Sequence, residues 1–178
     1  MIKVLYSDDG VVMLRPLTMA DADAHLAGQD VEYVTWLDGA DGTEATEKRR
    51  LADAEKAWEA GGPTFAFAIM SEGKLAGTIT AEVGREDLHD NQADIVYGLY
   101  PDTRGRGIAT RAVMLMVSFL DQVPGISEAV IRVSPANPRS RSVAERAGFE
   151  PLETEQTAGS EYEWLSSRVS LVPAEARG

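Results

Sequence analysis

The sequence predicts one α/β domain over residues 1–178, built on a mixed, mainly antiparallel sheet of about seven strands. Three observations predict it. Short runs rich in Val, Ile, Phe and Tyr are interleaved with longer stretches of helical period. Gly- and Pro-containing breaks separate these runs at nearly every change of period. A hydrophobic content of 44% over 178 residues suffices for one substantial core, and no second domain is expected.

Val11 to Leu17 predicts the first strand, and Thr18 followed by Asp21 makes a capped start for a helix through about Gln29. A second helical pattern runs from about Thr43 to Glu59 and stops at Gly61-Gly62-Pro63. Thr64 to Met70 and Leu75 to Val83 form a hairpin about the turn Ser71-Glu72-Gly73-Lys74. Gly84 to Gln92 is polar and is expected to be a loop. The apolar strand Ile95 to Tyr100 leads through Arg104-Gly105-Arg106-Gly107-Ile108-Ala109 into a helix ending near Leu120. Asp121 to Gly125 forms a break, Glu128 to Val133 a strand, and Pro138 to Ala147 a short helix closed by Gly148. Phe149 to Glu155 and Tyr162 to Leu171 are a final antiparallel pair, followed by a frayed tail.

Composition narrows the chemistry. With no cysteine, disulfides, thiolate nucleophiles and thiolate metal sites are excluded. His25 and His89 are the only imidazoles, and their separation lacks metal-ligand spacing, so no metal is expected. The N-terminus has no apolar run long enough for a signal peptide, and the stretch Ala112 to Leu120 is too short to span a bilayer. A cytoplasmic location is therefore expected. The net charge of −12 argues against nucleic acid and for a cationic partner, with solubility as the plainer account of the same charge.

The junction at Arg104–Ala109 is the most informative segment. The first turn of a helix leaves N–H groups without partners at the positive end of its dipole, which is where phosphate binds. Gly105 and Gly107 remove Cβ atoms that would hold a diphosphate off, and Arg104 and Arg106 can pair with its oxygens. An ordinary turn with two solvated arginines is the bland alternative. G-x-x-x-x-G-K-[ST] is absent, and the third glycine of G-x-G-x-x-G would fall on Thr110. What remains resembles the Q/R-x-x-G-x-G/A motif of the GNAT superfamily of N-acetyltransferases, with Arg104, Gly107 and Ala109 at its specified positions.

The resemblance covers nearly the whole chain and is closest to the RimJ/RimL branch. Leu14-Arg15-Pro16-Leu17 with Asp21-Ala22-Asp23-Ala24 looks like its first strand and helix, and Val34-Thr35-Trp36-Leu37 like the end of its helical lobe. Ala93 to Pro101 resembles its fourth strand. Asn137-Pro138-Arg139-Ser140, running on to Ala144-Glu145-Arg146-Ala147-Gly148-Phe149, resembles the N-x-x-S…A-E-K-x-G-F block after its fifth strand. The resemblance implies helices on both sheet faces, with the two parallel central strands splaying so that pantetheine lies in the gap. It implies acetyl-CoA as co-substrate, bound by Arg104, Gly105, Arg106, Gly107, Ile108, Ala109, Asn137 and main-chain groups around Leu99. The partner it implies is an amine acceptor; a membrane partner is not expected, and a homodimer is left open.

Transfer to an amine requires a deprotonated amine and a donor for the leaving thiolate. Strand alternation puts Asp94 on one face with Val96, Gly98 and Tyr100, where partial burial would raise its pKa. The family often carries Glu there, so Asp94 acts directly or through a water, with Glu82 in reserve; a solvated Asp at a strand start is the structural alternative. Gly98 in a strand interior suggests a bulge or a closely approaching ligand, and it stands where the branch more often has a bulky aromatic, which suggests a wider acceptor pocket. Ser140 shares a helical face with Val143, Ala144 and Ala147 and so points inward. In the RimJ/RimL branch the serine at this position lies near the coenzyme sulfur, and the tyrosine that other GNAT enzymes use is Ala144 here; a backbone-bonded helix serine is the alternative. Asn137-Pro138 is also a good helix start in its own right. Trp36 and Trp58 are candidates for an acceptor pocket or the core.

The reading reached is direct acetyl transfer from acetyl-CoA to a primary amine of a cationic small molecule. A peptide N-terminal acetyltransferase and a catalytically silent acyl-CoA-binding module are the competing readings.

Overall fold

A computed structural model describes residues 3–37, 43–157 and 160–169. Its strands are β1 (Leu5–Tyr6), β2 (Met13–Pro16), β3 (Thr64–Ser71), β4 (Lys74–Val83), β5 (Gln92–Leu99), β6 (Glu128–Val133), β7 (Glu150–Thr157) and β8 (Ser160–Arg168). Its helices are α1 (Ala22–Gly28), α2 (Val31–Leu37), α3 (Glu44–Ala60), α4 (Ile108–Leu120) and α5 (Pro138–Arg146). The strands form one sheet in the order β1-β2-β3-β4-β5-β6-β8-β7, antiparallel except at β5–β6.

Alternation along the strands assigns each helix to a face. Phe65, Phe67 and Ile69 of β3 join Ile79, Ile95 and the α4 residues Ala112, Met116 and Phe119 in the main core. Ala66 and Ala68, pointing the other way, pack with Ala22 of α1 and with Leu51 and Ala54 of α3. Helices thus cover both faces, as the resemblance implied. Trp58 is core: its ring meets Phe65, Phe67 and Phe119, and its Nε1 donates to Ala66 O at 2.7 Å.

Local chemistry sets the boundaries. Thr43 caps α3 by accepting from Thr46 N, and Gly61 closes it in the left-handed conformation (φ 79°). The β3–β4 turn places Glu72 and Gly73 at φ 52° and 74°, the sense that matches strand twist. The two-residue β1 escapes prediction and gives an eighth strand. β5 also begins at Gln92, inside the expected loop, because Gln92 Nε2 donates to Glu128 Oε2 at 2.7 Å and Gln92 pairs with Glu128 in the parallel ladder. The helical lobe before α3 is two helices, the second being α2.

Candidate active site

The parallel ladder of β5 and β6 runs through Gln92↔Glu128, Ala93↔Ala129 and Asp94↔Val130 and then stops. β6 continues on β8 as far as Val133, while β5 continues on β4 alone. From Ile95 to Leu99, β5 therefore turns an unpaired backbone edge toward a gap. That gap belongs to a cleft of about 760 Å³ whose walls include Tyr97, Gly98, Leu99, Gly107, Asn137 and Ser140.

The glycine loop closes one end. Gly105 and Gly107 adopt φ 74° and 70°, a region that L side chains disfavour, and Gly107 is the N-cap of α4. No side chain caps α4, so Ile108 and Ala109 open a helix start suited to an anion. The two arginines differ from expectation. Arg104 lines the cleft, but its guanidinium forks onto Asp30 at 2.7 and 2.8 Å, reaches Glu32 at 3.1 Å, and donates from Nε to Leu99 O at 3.0 Å. Arg106 pairs with Glu72 at 2.5 Å. Carboxylates from α2 and the β3–β4 turn thus take the groups that the sequence suggested for phosphate. Asp30 also caps α2 by accepting from Tyr33 N, and Arg104 holds its carboxyl well below the usual carboxylate range.

At the other end, Asn137 Oδ1 accepts from Ser140 N at 3.2 Å, and Pro138 fills the first helical position of α5. Ser140 is partly buried, as its apolar face predicted. Its partner was not foreseen: Tyr97 Oη donates to Ser140 O at 2.8 Å and lies 3.0 Å from Ser140 Oγ. Burial pushes the Tyr97 phenol up to about 12, against the opposing effect of its Ser140 hydrogen bond. The available signal was a tyrosine on the inward face of a strand, which normally requires a hydroxyl partner.

Asp94 is 1% exposed, which removes the reading of a solvated strand-start residue. Its Oδ2 accepts from Arg85 Nη1 at 2.7 Å, and its buried Oδ1 has no hydrogen-bond partner among the described residues. Burial pushes its carboxyl up to about 6, with Arg85 and Arg132 opposing. Arg85 also holds Glu82 at 3.1 Å and Asp87 at 2.5 Å, so three carboxylates converge on one guanidinium.

A second cleft, of about 430 Å³, meets β5 on the Val96 face and includes Thr78, Thr80 and Glu82 of β4 and Glu47, Arg50 and Asp53 of α3. Glu82 is the direct cross-strand neighbour of Asp94. Tyr33 and Leu37 of α2 line both clefts. Gly98 does not widen the space beside it: a Cβ there would lie 2.1 Å from Leu37 Cδ1 and 2.7 Å from Tyr33 Cε2. The β4–β5 register runs through Gly98 without the expected bulge, and what approaches it closely is α2. Trp36 lines the first cleft instead of entering the core. Sequence reasoning also missed a buried polar group beneath the second cleft: His25 Nδ1 lies 2.7 Å from Tyr100 Oη, and its Nε2 lies 2.9 Å from Gln29 and 3.5 Å from Glu47. No cluster suited to a metal occurs among the described residues.

Among the carboxylates behind the −12 charge, those before α3, at its start and in the final strand pair are partly neutralised. Asp30 and Glu32 face Arg104 and Arg139, and Glu44 faces Lys48. Glu163 pairs with Arg141. Asp38, Asp41 and the side chains of Glu153, Glu155 and Glu161 lie outside the described part of the chain.

A glycine-lined helix start at one end of a gap between parallel strands, with the Tyr97–Ser140 hydroxyl pair on the wall of the same cleft, suits an acyltransferase that takes its donor from a phosphate-bearing coenzyme. The model of the acetyltransferase (GNAT) domain matches residues 12–150, and the chain belongs to that family. Solved structures agree in fold. AAC(6')-Ib in complex with paromomycin and acetyl-CoA superposes with a TM-score of 0.76 at 22% identity, covering 89% of this chain and 93% of that one. RimL, a ribosomal L7/L12 α-N-protein acetyltransferase in complex with coenzyme A, gives 0.76 at 16% identity, covering 93% and 98%. Mycobacterium smegmatis RimJ in complex with CoA-disulfide gives 0.73 at 23% identity, covering 98% and 87%. A search of curated protein sequences finds no match.

Proposed function

We propose that the enzyme transfers an acetyl group from acetyl-CoA directly to the primary amine of a small cationic molecule. The carrying observation is that two clefts meet β5, the first at its free edge and the second at Val96, and share Tyr33 and Leu37 as a wall, the second presenting Glu47, Asp53 and Glu82 against Arg50. A diphosphate fits at the glycine loop, where the backbone amides of Ile108 and Ala109 open α4, with Arg106 beside it. The free edge of β5 around Leu99 offers main-chain groups to an amide-bearing arm, and Asn137 holds the first turn of α5 in place.

Asp94 removes the amine proton, directly or through a water that satisfies its buried Oδ1, with Glu82, its direct cross-strand neighbour, as the reserve base. A carboxyl near pH 6 is ionised at neutral pH and more basic than a surface aspartate, which suits the task. Ser140 serves the departing sulfur as hydroxyl donor. Arg104 acts chiefly by fixing α2 through Asp30.

The deciding experiment is an acetyl-CoA-dependent thiol-release screen over amino acids, polyamines, aminoglycosides and N-terminal peptides. Preference for a cationic small amine is the expected result. Preference for peptides would move the assignment to a protein N-terminus, and coenzyme binding without thiol release would make the chain a silent binding module.

A further inference from the structure

Beyond Asp94↔Val130 the two central strands no longer bond to each other, yet three residues further on β5 is tied to α5 through Tyr97 and Ser140. The phenol has one hydrogen, and the carbonyl of Ser140, 2.8 Å away, can only accept it. The 3.0 Å contact between the two hydroxyls must then use the serine hydrogen, with Tyr97 Oη accepting. In this arrangement the Ser140 hydrogen points at Tyr97 and its lone pairs face the cleft. A departing sulfur needs the reverse.

We propose that Tyr97 is the positioning residue that turns the Ser140 hydroxyl toward the leaving sulfur. When the C–S bond breaks, its electron pair stays on sulfur and the Ser140 hydrogen turns to it. The Tyr97 hydrogen moves from the Ser140 carbonyl to the Ser140 oxygen thus vacated, and polarises it. The two hydrogen bonds strengthen one another as a chain, which neither hydroxyl achieves alone. No proton leaves either residue: the thiolate later takes one from water, balanced by the proton the amine gives up. The inference rests on the acetyltransferase reading and adds to it a residue on β5, opposite in face to Asp94.

The test combines a double-mutant cycle with a thiol titration. Tyr97→Phe keeps the ring and removes the hydroxyl. It should lower kcat about ten- to a hundred-fold, the range of a hydrogen bond to a charged group. In the Ser140→Ala background the same change should cost no more than about two-fold, because residues acting as a unit are not additive. In complexes with coenzyme A itself, followed by ultraviolet absorbance of the thiolate, each variant should raise the thiol pKa by about one to two pH units. The charged groups on the walls of this cleft, Glu32, Arg104, Arg139 and Arg146, are unchanged in these variants, so a shift reports the hydroxyl pair.

A purely structural Tyr97 would lower the melting temperature and weaken coenzyme affinity while leaving the thiol titration and the cycle additive, and that pattern overturns the proposal. Should Tyr97→Phe not fold, Tyr97→fluorotyrosine keeps the hydroxyl and makes it more acidic; an unshifted thiol pKa there overturns it equally. Wild-type protein that binds no coenzyme A, or turns over no amine, removes the acetyltransferase reading and this inference with it. Wild-type turnover with an inert Tyr97 removes this inference alone.

Discussion

Replacing Asp94 with asparagine separates what burial does to this carboxylate from what the enzyme does with it. Asp94 is 1% exposed, and its carboxyl is pushed from 3.8 up to about 6. One pKa unit is about 1.4 kcal/mol, so the shift corresponds to roughly 3 kcal/mol; at this burial no discount for solvent screening applies. The folded state holds the proton more tightly than the unfolded state. Its stabilisation is therefore complete below the ordinary aspartate value and is lost as pH rises through about 6. Asp94→Asn keeps the shape and does not titrate, and it leaves Arg85 with Glu82 and Asp87 as partners, so no cation is stranded. Urea midpoints of both proteins between about pH 4 and pH 8 should diverge, with the wild type losing roughly 2.5 kcal/mol relative to the variant, most of it below about pH 6. Parallel stability curves across that range would refute the argument. For activity, the same titration sets the acid limb of kcat/KM, which the variant should lack, with partial recovery at alkaline pH where the amine deprotonates unaided.

Three further outcomes are expected. Gly107→Val puts a β-branched residue at φ 70° at the start of α4; it should abolish the coenzyme-induced melting shift, equivalent to roughly 2.7 kcal/mol at a hundred times Kd, and an undiminished shift in differential scanning fluorimetry would sink the glycine-loop assignment. Gly98→Ala forces its methyl against Leu37 and Tyr33, at a cost of about 1–3 kcal/mol that Leu37→Ala partly relieves; wild-type melting of Gly98→Ala would show that α2 does not pack as described. With the best amine from the screen, kcat/KM should fall as salt rises, since charges more than about 8 Å apart are screened at physiological ionic strength; salt-independent turnover of a neutral amine would reduce the −12 charge to a role in solubility.

Features carried by local pattern were legible in the sequence. The strand–loop–helix junction at Arg104–Ala109 and the inward face of Ser140 each follow from a period of 2 or 3.6 and a few glycines, whereas the burial of Asp94 does not, since Val96 on the same alternating face is exposed. Partner choice across the fold was not legible. Arg104 and Arg106 are sequence neighbours with the same charge, and nothing local says that Asp30 will claim one and Glu72 the other. Arg85 lay in a segment read as polar loop, and only the β4–β5 register brings it to Asp94. Gly98 was ambiguous for the same reason: a missing side chain marks space but not its occupant, and the occupant comes from α2. The parallel ladder begins at Gln92 because of a side-chain contact with Glu128, which hydrophobic patterning does not register.

The fork between Arg104 and Asp30 has a thermodynamic consequence for the two clefts. Asp30 caps α2, and α2 supplies the wall they share, so the conformational energy of that helix enters both occupancy equilibria. If an anion at the glycine loop competes for Arg104 and alters α2, affinity in the other cleft changes by some factor. An occupant of that cleft must then change the anion's affinity by the same factor, because linkage between binding free energies is reciprocal. Measuring one ligand's dissociation constant with and without the other therefore yields the coupling from either direction.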